Sequence, residues 1–140
     1  MNMNERMIVV ALAATLAAAG MLALLLFEVM LALASDPVSL SGLPPIPVLV
    51  GFFCASSLIV LLALTQRGTA ARWVAFGIGV LLVLFHAMHV VEHLAFGDVP
   101  FALLILVMMF APSAVVVWQL WLARRERIKE PSGGLADGTS

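Results

Sequence analysis

Four long apolar runs constrain this chain more than any other feature of its sequence. They cover residues about 7–34, 47–64, 71–96 and 100–123, and each is long enough to cross about 30 Å of hydrocarbon as a helix. Of the 140 residues, 64% are hydrophobic and 11% are charged, whereas soluble domains average about 45–50% and about 25%. A chain of this size cannot bury so much apolar surface in one globule. The composition therefore predicts an all-α integral membrane protein in contact with the lipid bilayer.

Turn-forming residues separate the four runs and set their order in space. The first run ends before Pro37, which cannot continue a helix, and Pro47 can occupy the first turn of the second helix. Thr69 is a suitable N-cap for the third helix, and Asp98 is one for the fourth. Because the second and third loops are short, consecutive helices are predicted to be antiparallel. The result is an up-down-up-down bundle of four transmembrane helices over residues 1–129, followed by a disordered cytoplasmic tail over residues 130–140.

The first run also resembles a secretory signal peptide. It follows Arg6 and ends in Ala32-Leu33-Ala34 before Ser35, which imitates an A-x-A cleavage site. However, its apolar run is about twice as long as a typical signal core, and it contains Glu28. We therefore predict a retained transmembrane helix.

The basic residues predict the orientation of the bundle. All seven fall on one side of a four-span topology, whereas the loops 35–46 and 97–99 contain none: Arg6, Arg67, Arg72, Arg124, Arg125, Arg127 and Lys129. Basic loops stay in the cytoplasm, so both termini are predicted to be cytoplasmic, in the plasma (inner) membrane of a bacterium. Trp73, Trp118 and Trp121 fall near the same ends of their helices, as in an interfacial aromatic belt.

One stripe of the third helix carries the residues most capable of chemistry. At 100° per residue, His86, His89 and His93 fall within about a 60° arc, and Glu92 lies about 60° beyond His89. These are the only three histidines of the chain, and they lie in the outer half of the predicted helix. Gly79 shares their stripe two turns earlier and permits close helix packing. The stripe is therefore predicted to face another helix.

A transition-metal or cofactor site is the first function that this stripe could serve. Histidines at i and i+4, or at i and i+3, can bind one ion from a single helical face, and carboxylates can complete the shell. The predicted ligands are His86, His89, Glu92, His93 and Glu28. Imidazole and carboxylate suit Zn, Fe, Mn, Ni or Cu. Haem is less expected, because paired axial histidines usually come from facing helices.

Residues from other helices are predicted to lie at a similar depth. Counting at about 1.5 Å per residue places Glu28, Cys54 and the Met108-Met109 pair level with the histidines. Pro112 cannot donate a hydrogen bond to the Met108 carbonyl. In lipid that carbonyl should point into the bundle or be satisfied by a neighbour.

Several alternatives remain open at the level of sequence. The stripe could relay protons or ions near the outer face, or its polar groups could only hydrogen-bond and orient the helices. The chain could also be an accessory or assembly subunit of a larger membrane complex, or a homo-oligomer. The sequence contains no GxGxxG, P-loop, CxxC or Ser-His-Asp pattern, which is more typical of a protein that is not an enzyme. No basic patch interleaves with aromatic residues, so no nucleic-acid binding is predicted.

Overall fold

The computed structural model describes residues 1–33, 46–65 and 68–129; at 28, 31, 32 and 126–129 it describes the backbone alone. Within these ranges the protein is helical and contains no strand. The helices are α1 (Met3–Leu33), α2 (Ile46–Thr65), α3 (Thr69–Ala95), α4 (Val99–Ile105) and α5 (Ala111–Lys129), with a π-helical segment (Leu106–Phe110) between the last two. Four helices are long and apolar enough to cross a membrane, the fourth being the continuous rod Val99–Arg125. This confirms the predicted class, an all-helical protein with four candidate membrane spans.

The helix ends differ in detail from those predicted. α1 begins at Met3, and α5 continues through the basic cluster that follows Ala123. The N-cap predicted at Thr69 is wrong: Thr69 is already helical, and Gly68 precedes it in an extended conformation. The N-cap predicted at Asp98 is confirmed, since its side chain accepts a hydrogen bond from the Phe101 N–H at 3.4 Å. The predicted first loop and the tail 130–140 lie outside the described residues.

Each spanning helix packs against two neighbours, so that the four close into a ring. α1 packs on α2, α2 on α3, α3 on the rod formed by α4 and α5, and that rod on α1. The interior has two parts. One, here called the apolar layer, is formed by Val10, Ala14, Ile59, Ala75, Leu82, Val116 and Leu120. The other is centred on Met21, Leu24, Leu49, Ile105 and Met109.

The two ends of the bundle carry different residues. At one end the Arg6 guanidinium donates a hydrogen bond to Gln119 Oε1 at 3.2 Å, and Arg72 and Arg124 line one groove. We call this the arginine end. The opposite end carries the turn at Gly97, whose φ of +79° favours glycine, and Asp98. We call it the Asp98 end.

The π-helical segment follows from Pro112. Proline has no N–H, so the α-helical bond to the Met108 carbonyl cannot form. The chain instead winds one wider turn, in which the Ala111 N–H donates to the Leu106 carbonyl five residues earlier. The Met108 carbonyl faces α1 at Gly20, where a Cβ would lie 3.2 Å from its oxygen. Sequence predicted that this carbonyl would meet a neighbour, but it did not predict the π turn.

We expect Gly20→Leu to destabilise the bundle by about 1–3 kcal/mol, the range for overpacking a fitted contact. The added side chain would meet the Met108 backbone and Met109 Cγ at 3.3 Å, so α1 must move off the π segment. Gly77→Leu is the matched control, because a Cβ at Gly77 meets nothing within 4 Å. Reversible unfolding in mixed micelles measures both. Equal stability of the two variants would contradict the close approach.

Candidate functional site

The buried face of α3 is a single seam that runs the length of the helix. Its members alternate at spacings of four and three residues: Ala75, Gly79, Leu82, His86, His89 and His93. This repeat of 3.5 residues is the packing pattern of helices that lie alongside one another. Small and aliphatic residues fill the half nearer the arginine end, and histidines fill the other half. The relative exposure of the three histidines is 1%, 9% and 8%, so the predicted inward orientation of the stripe is confirmed. We call these three residues the histidine row.

His86 is the deepest member of the row and contacts the fourth rod. Its Nδ1 and the Ser113 hydroxyl form a hydrogen bond of 3.3 Å, and Ser113 is 1% exposed. Ser113 directly follows Pro112, just beyond the π segment. The rings of Phe52 and Phe85 lie on the other sides of the imidazole, at centroid distances of 6.4 and 5.8 Å. The innermost histidine thus has a hydroxyl partner on the fourth rod and two aromatic rings nearby.

His89 lies one turn nearer the Asp98 end. Its ring stacks on Phe85 with centroids 4.7 Å apart, and Phe85 in turn stacks on Phe52 of α2 at 3.8 Å. His89 Nδ1 lies 3.7 Å from Glu92 Oε2. The Glu92 side chain is 42% exposed, so it stands at the edge of the seam and not inside it. Glu92 also lies three residues before the end of α3, and a charge near the membrane interface costs less than one at the bilayer centre.

His93 connects the row to the Asp98 end. Its Nδ1 lies 3.6 Å from Asp98 Oδ2, on a side chain that is 51% exposed, and its ring lies 4.6 Å from that of Phe101. The backbone holds Asp98 in place, because its N–H donates to the His93 carbonyl at 2.9 Å. The rings of His93 and His89 are 6.1 Å apart. Polar side chains therefore follow one another from an exposed carboxylate to Ser113.

The ring nitrogens of the row are largely unsatisfied by protein. Among the described residues, His86 Nε2, His93 Nε2 and both nitrogens of His89 are buried and have no hydrogen-bond partner. Buried polar atoms are nearly always hydrogen-bonded, and exceptions mark groups with another task or an unseen partner such as water or an ion. In an apolar surrounding each such atom is costly. This concentration of unsatisfied nitrogens sets the row apart from an ordinary packing contact.

The predicted metal ligands are brought together only in part. The three histidines share the seam, Glu92 lies at its edge, and the Glu28 side chain lies outside what the structure describes. Within the described part of the chain, no group of three or more His, Cys, Asp or Glu side chains could hold a metal ion. Cys54 is exposed, because the buried positions of α2 are Leu49, Ser56 and Ile59. The depth shared by Cys54 and the histidines therefore does not make it their neighbour.

Two polar neighbours of the row were not among the predicted site residues. Asp98 was predicted only as an N-cap, although its position five residues after His93 across a tight turn could have indicated contact. Ser113 could not have been found, since its contact with His86 depends on how the rod after the π segment faces α3. The row also ends at Ser113 and Leu82. Beyond them, the apolar layer fills the interior towards the arginine end.

Comparison of the chain with known proteins found no matching family model, no matching curated protein and no matching solved structure. The function must therefore be argued from the site itself.

We expect Ser113→Ala to destabilise the bundle by about 0.6 kcal/mol, the average for hydrogen bonds between membrane helices, and by no more than about 1.7 kcal/mol. The matched control is Ser57→Ala, because the Ser57 hydroxyl donates at 2.8 Å to the Phe53 carbonyl of its own helix. A double-mutant cycle with His86→Phe, measured by reversible unfolding in micelles, gives the interaction energy between Ser113 and His86. Zero coupling between the two substitutions would contradict the contact.

Proposed function

We propose that the histidine row takes up protons from the Asp98 end and carries them to the middle of the bundle. The observation that carries this proposal is the set of buried, unsatisfied ring nitrogens between an exposed carboxylate and Ser113. Histidine is the side chain whose charge ordinarily changes between about pH 5 and pH 8. Glutamate and histidine chains inside membrane segments are a common device for proton relays.

Two features beside the row would stabilise a proton bound there. Asp98 and Glu92 lie 3.6 and 3.7 Å from His93 and His89, and a carboxylate at such a distance attracts an imidazolium. The stacked ring of Phe85 and the ring of Phe101 offer negative aromatic faces, which favour a cation. A proton also needs no preformed coordination shell, in keeping with the lack of a three-ligand group among the described residues.

The row forms half of a path across the bundle. The 6.1 Å between the His89 and His93 rings exceeds a direct hydrogen bond, so transfer requires a bridging water or a ring rotation. Past His86 the interior is largely aliphatic, with Leu82, Val116 and Ile59 each no more than 2% exposed. α2 also buries the Ser56 hydroxyl, three residues before Ile59. The largely aliphatic interior supports reversible proton uptake from one side in preference to flow across the membrane. The proton could then change helix packing or serve a partner subunit of a larger membrane complex.

The direction of uptake depends on the orientation of the bundle. We propose the up-down-up-down order with both termini cytoplasmic, in a bacterial plasma membrane. The basic residues support it, since the described arginines Arg6, Arg72 and Arg124 belong to the arginine end. In this orientation the Asp98 end faces away from the cytoplasm, and the row takes its protons from outside.

Uptake is tested by following the histidine ring nitrogens by NMR in nanodiscs from about pH 5 to pH 8. We expect the row as a whole to take up protons over this range, and Asp98→Asn to reduce that uptake. Asparagine keeps the N-cap acceptor while removing the charge, so the turn is preserved. Met88→Leu is the control, because Met88 is 61% exposed on the opposite face of α3. Rings that keep one protonation state throughout, or an effect of Met88→Leu as large as that of Asp98→Asn, would refute proton uptake.

The sidedness of uptake has its own control. In proteoliposomes of a Cys54→Ala variant, thiol labelling of Phe96→Cys and of Gly68→Cys reports the two ends, since both positions are exposed. The side that labels Phe96→Cys should be the side from which a pH jump protonates the row. Protonation of the row from the side that labels Gly68→Cys would contradict uptake from the Asp98 end.

A transition-metal site is the second candidate, and the spacing of His89 and His93 favours it. They lie four residues apart on one face with rings 6.1 Å apart, and neither Nε2 has a hydrogen-bond partner in the described chain. His86, Glu92 and Glu28 are the further ligands that we propose for Zn, Fe, Mn, Ni or Cu.

Elemental analysis of protein purified without chelators tests this second candidate. A metal site predicts one metal ion per chain in the wild-type protein. His89→Ala and His93→Ala should lose the ion, and Glu28→Gln should bind it more weakly, because each change removes a ligand. Met88→Leu should retain the metal. Metal-free wild-type protein that also fails to take up added Zn²⁺ would contradict the metal site and leave proton uptake standing.

A further inference from the structure

A mostly apolar groove between α3 and α5 lies at the arginine end, and two arginines border it. Its volume is about 340 Å³, and the residues that matter to its chemistry are Thr69, Arg72, Trp73, Phe76, Trp121 and Arg124. None of the described residues that line it is Asp or Glu. From this arrangement we infer that the groove binds one anionic phospholipid, whose phosphate contacts the two arginines and whose acyl chain lies on the aromatic floor.

The polar and apolar residues of the groove are separated along its length. On α3, Thr69 and Arg72 lie in the first turn, at the very end of the helix, and Phe76 lies one turn deeper. On α5, Arg124 lies one turn nearer the arginine end than Leu120, which is 6% exposed in the apolar layer. The charged residues therefore lie at the end of the bundle and the hydrophobic residues lie deeper. A phospholipid has the same order, with its charged headgroup outside and its acyl chain inside.

The two arginines border the groove from different helices. The Arg124 guanidinium lies 4.5 Å above the Trp73 ring, so it reaches from α5 across to α3. Arg72 lines the groove from the α3 side and is half-buried. Arginine offers a planar set of donors that matches phosphate oxygens. Basic pockets between membrane helices on the cytoplasmic side are typical binding places for phosphate headgroups.

The apolar part of the groove distinguishes a lipid from a soluble anion. Trp73 is 50% exposed, and Phe76 and Trp121 are also accessible from the groove. A free phosphate would leave these rings uncovered, whereas an acyl chain would cover them. Interfacial tryptophans also commonly mark the headgroup level of a bilayer.

Quenching of tryptophan fluorescence by brominated lipids tests this assignment on the full chain. The chain has three tryptophans, so Trp118→Phe leaves only Trp73 and Trp121, both in the groove. The probes are brominated phosphatidylglycerol and brominated phosphatidylcholine, each titrated into phosphatidylcholine nanodiscs. We expect brominated phosphatidylglycerol to quench the fluorescence at a lower mole fraction than brominated phosphatidylcholine does. Taking the ratio of the quenching by the two lipids cancels any change in baseline fluorescence between variants.

Arg72→Gln and Arg124→Gln should each lower the preference for phosphatidylglycerol about fivefold, the effect of one basic residue near an anionic surface. Arg125→Gln is the matched control, because it removes the same charge one residue away; Arg125 stacks on Trp121 at 4.0 Å but does not line the groove. It should keep most of the preference. Helical circular dichroism of every variant verifies that the bundle is intact.

Three results would overturn the lipid site. Equal quenching by the two lipids would show that the groove does not select charge. An equal loss in Arg125→Gln would show a diffuse positive surface and no local site. Complete displacement of the brominated lipid by excess glycerophosphate would show a site for a soluble anion, since the acyl chain would then contribute nothing.

Discussion

The packing seam of α3 is the constraint on which both the core and the candidate site depend. Its spacing of alternately four and three residues keeps one face of a 27-residue helix against its neighbours. Because the same face carries Ala75 and Leu82 near one end and the histidine row near the other, burial of the first pair forces burial of the histidines. Rotating α3 to expose His86 would expose Leu82 as well. The cost of burying imidazoles is thus coupled to the stability of the apolar layer.

Pro112 links the backbone of the fourth rod to this seam. By removing a donor it produces the π turn, which leaves the Met108 carbonyl facing Gly20 and places Ser113 beside His86. The extra residue in a π turn rotates the helix that follows it relative to the helix before it. A feature that sequence alone presents as a tolerated kink therefore determines the inner end of the histidine row.

Charge is distributed differently at the two ends of the bundle. At the Asp98 end, carboxylates stand beside buried imidazoles, which suits a mobile cation such as a proton. At the arginine end, guanidinium groups stand over aromatic rings, which suits the phosphate level of a bilayer. The aliphatic layer between them separates the two.

The sequence by itself determined the number of candidate spans and the common face of His86, His89 and His93. Hydrophobic length and the angle of 100° per residue are properties of a single helix, so they can be read from one chain segment. Tertiary structure alone decided that Cys54 faces outward and that Ser113 lies at the inner end of the row. The physical reason is that periodicity defines angles within a helix, whereas the rotation of one helix against another depends on how all their side chains pack.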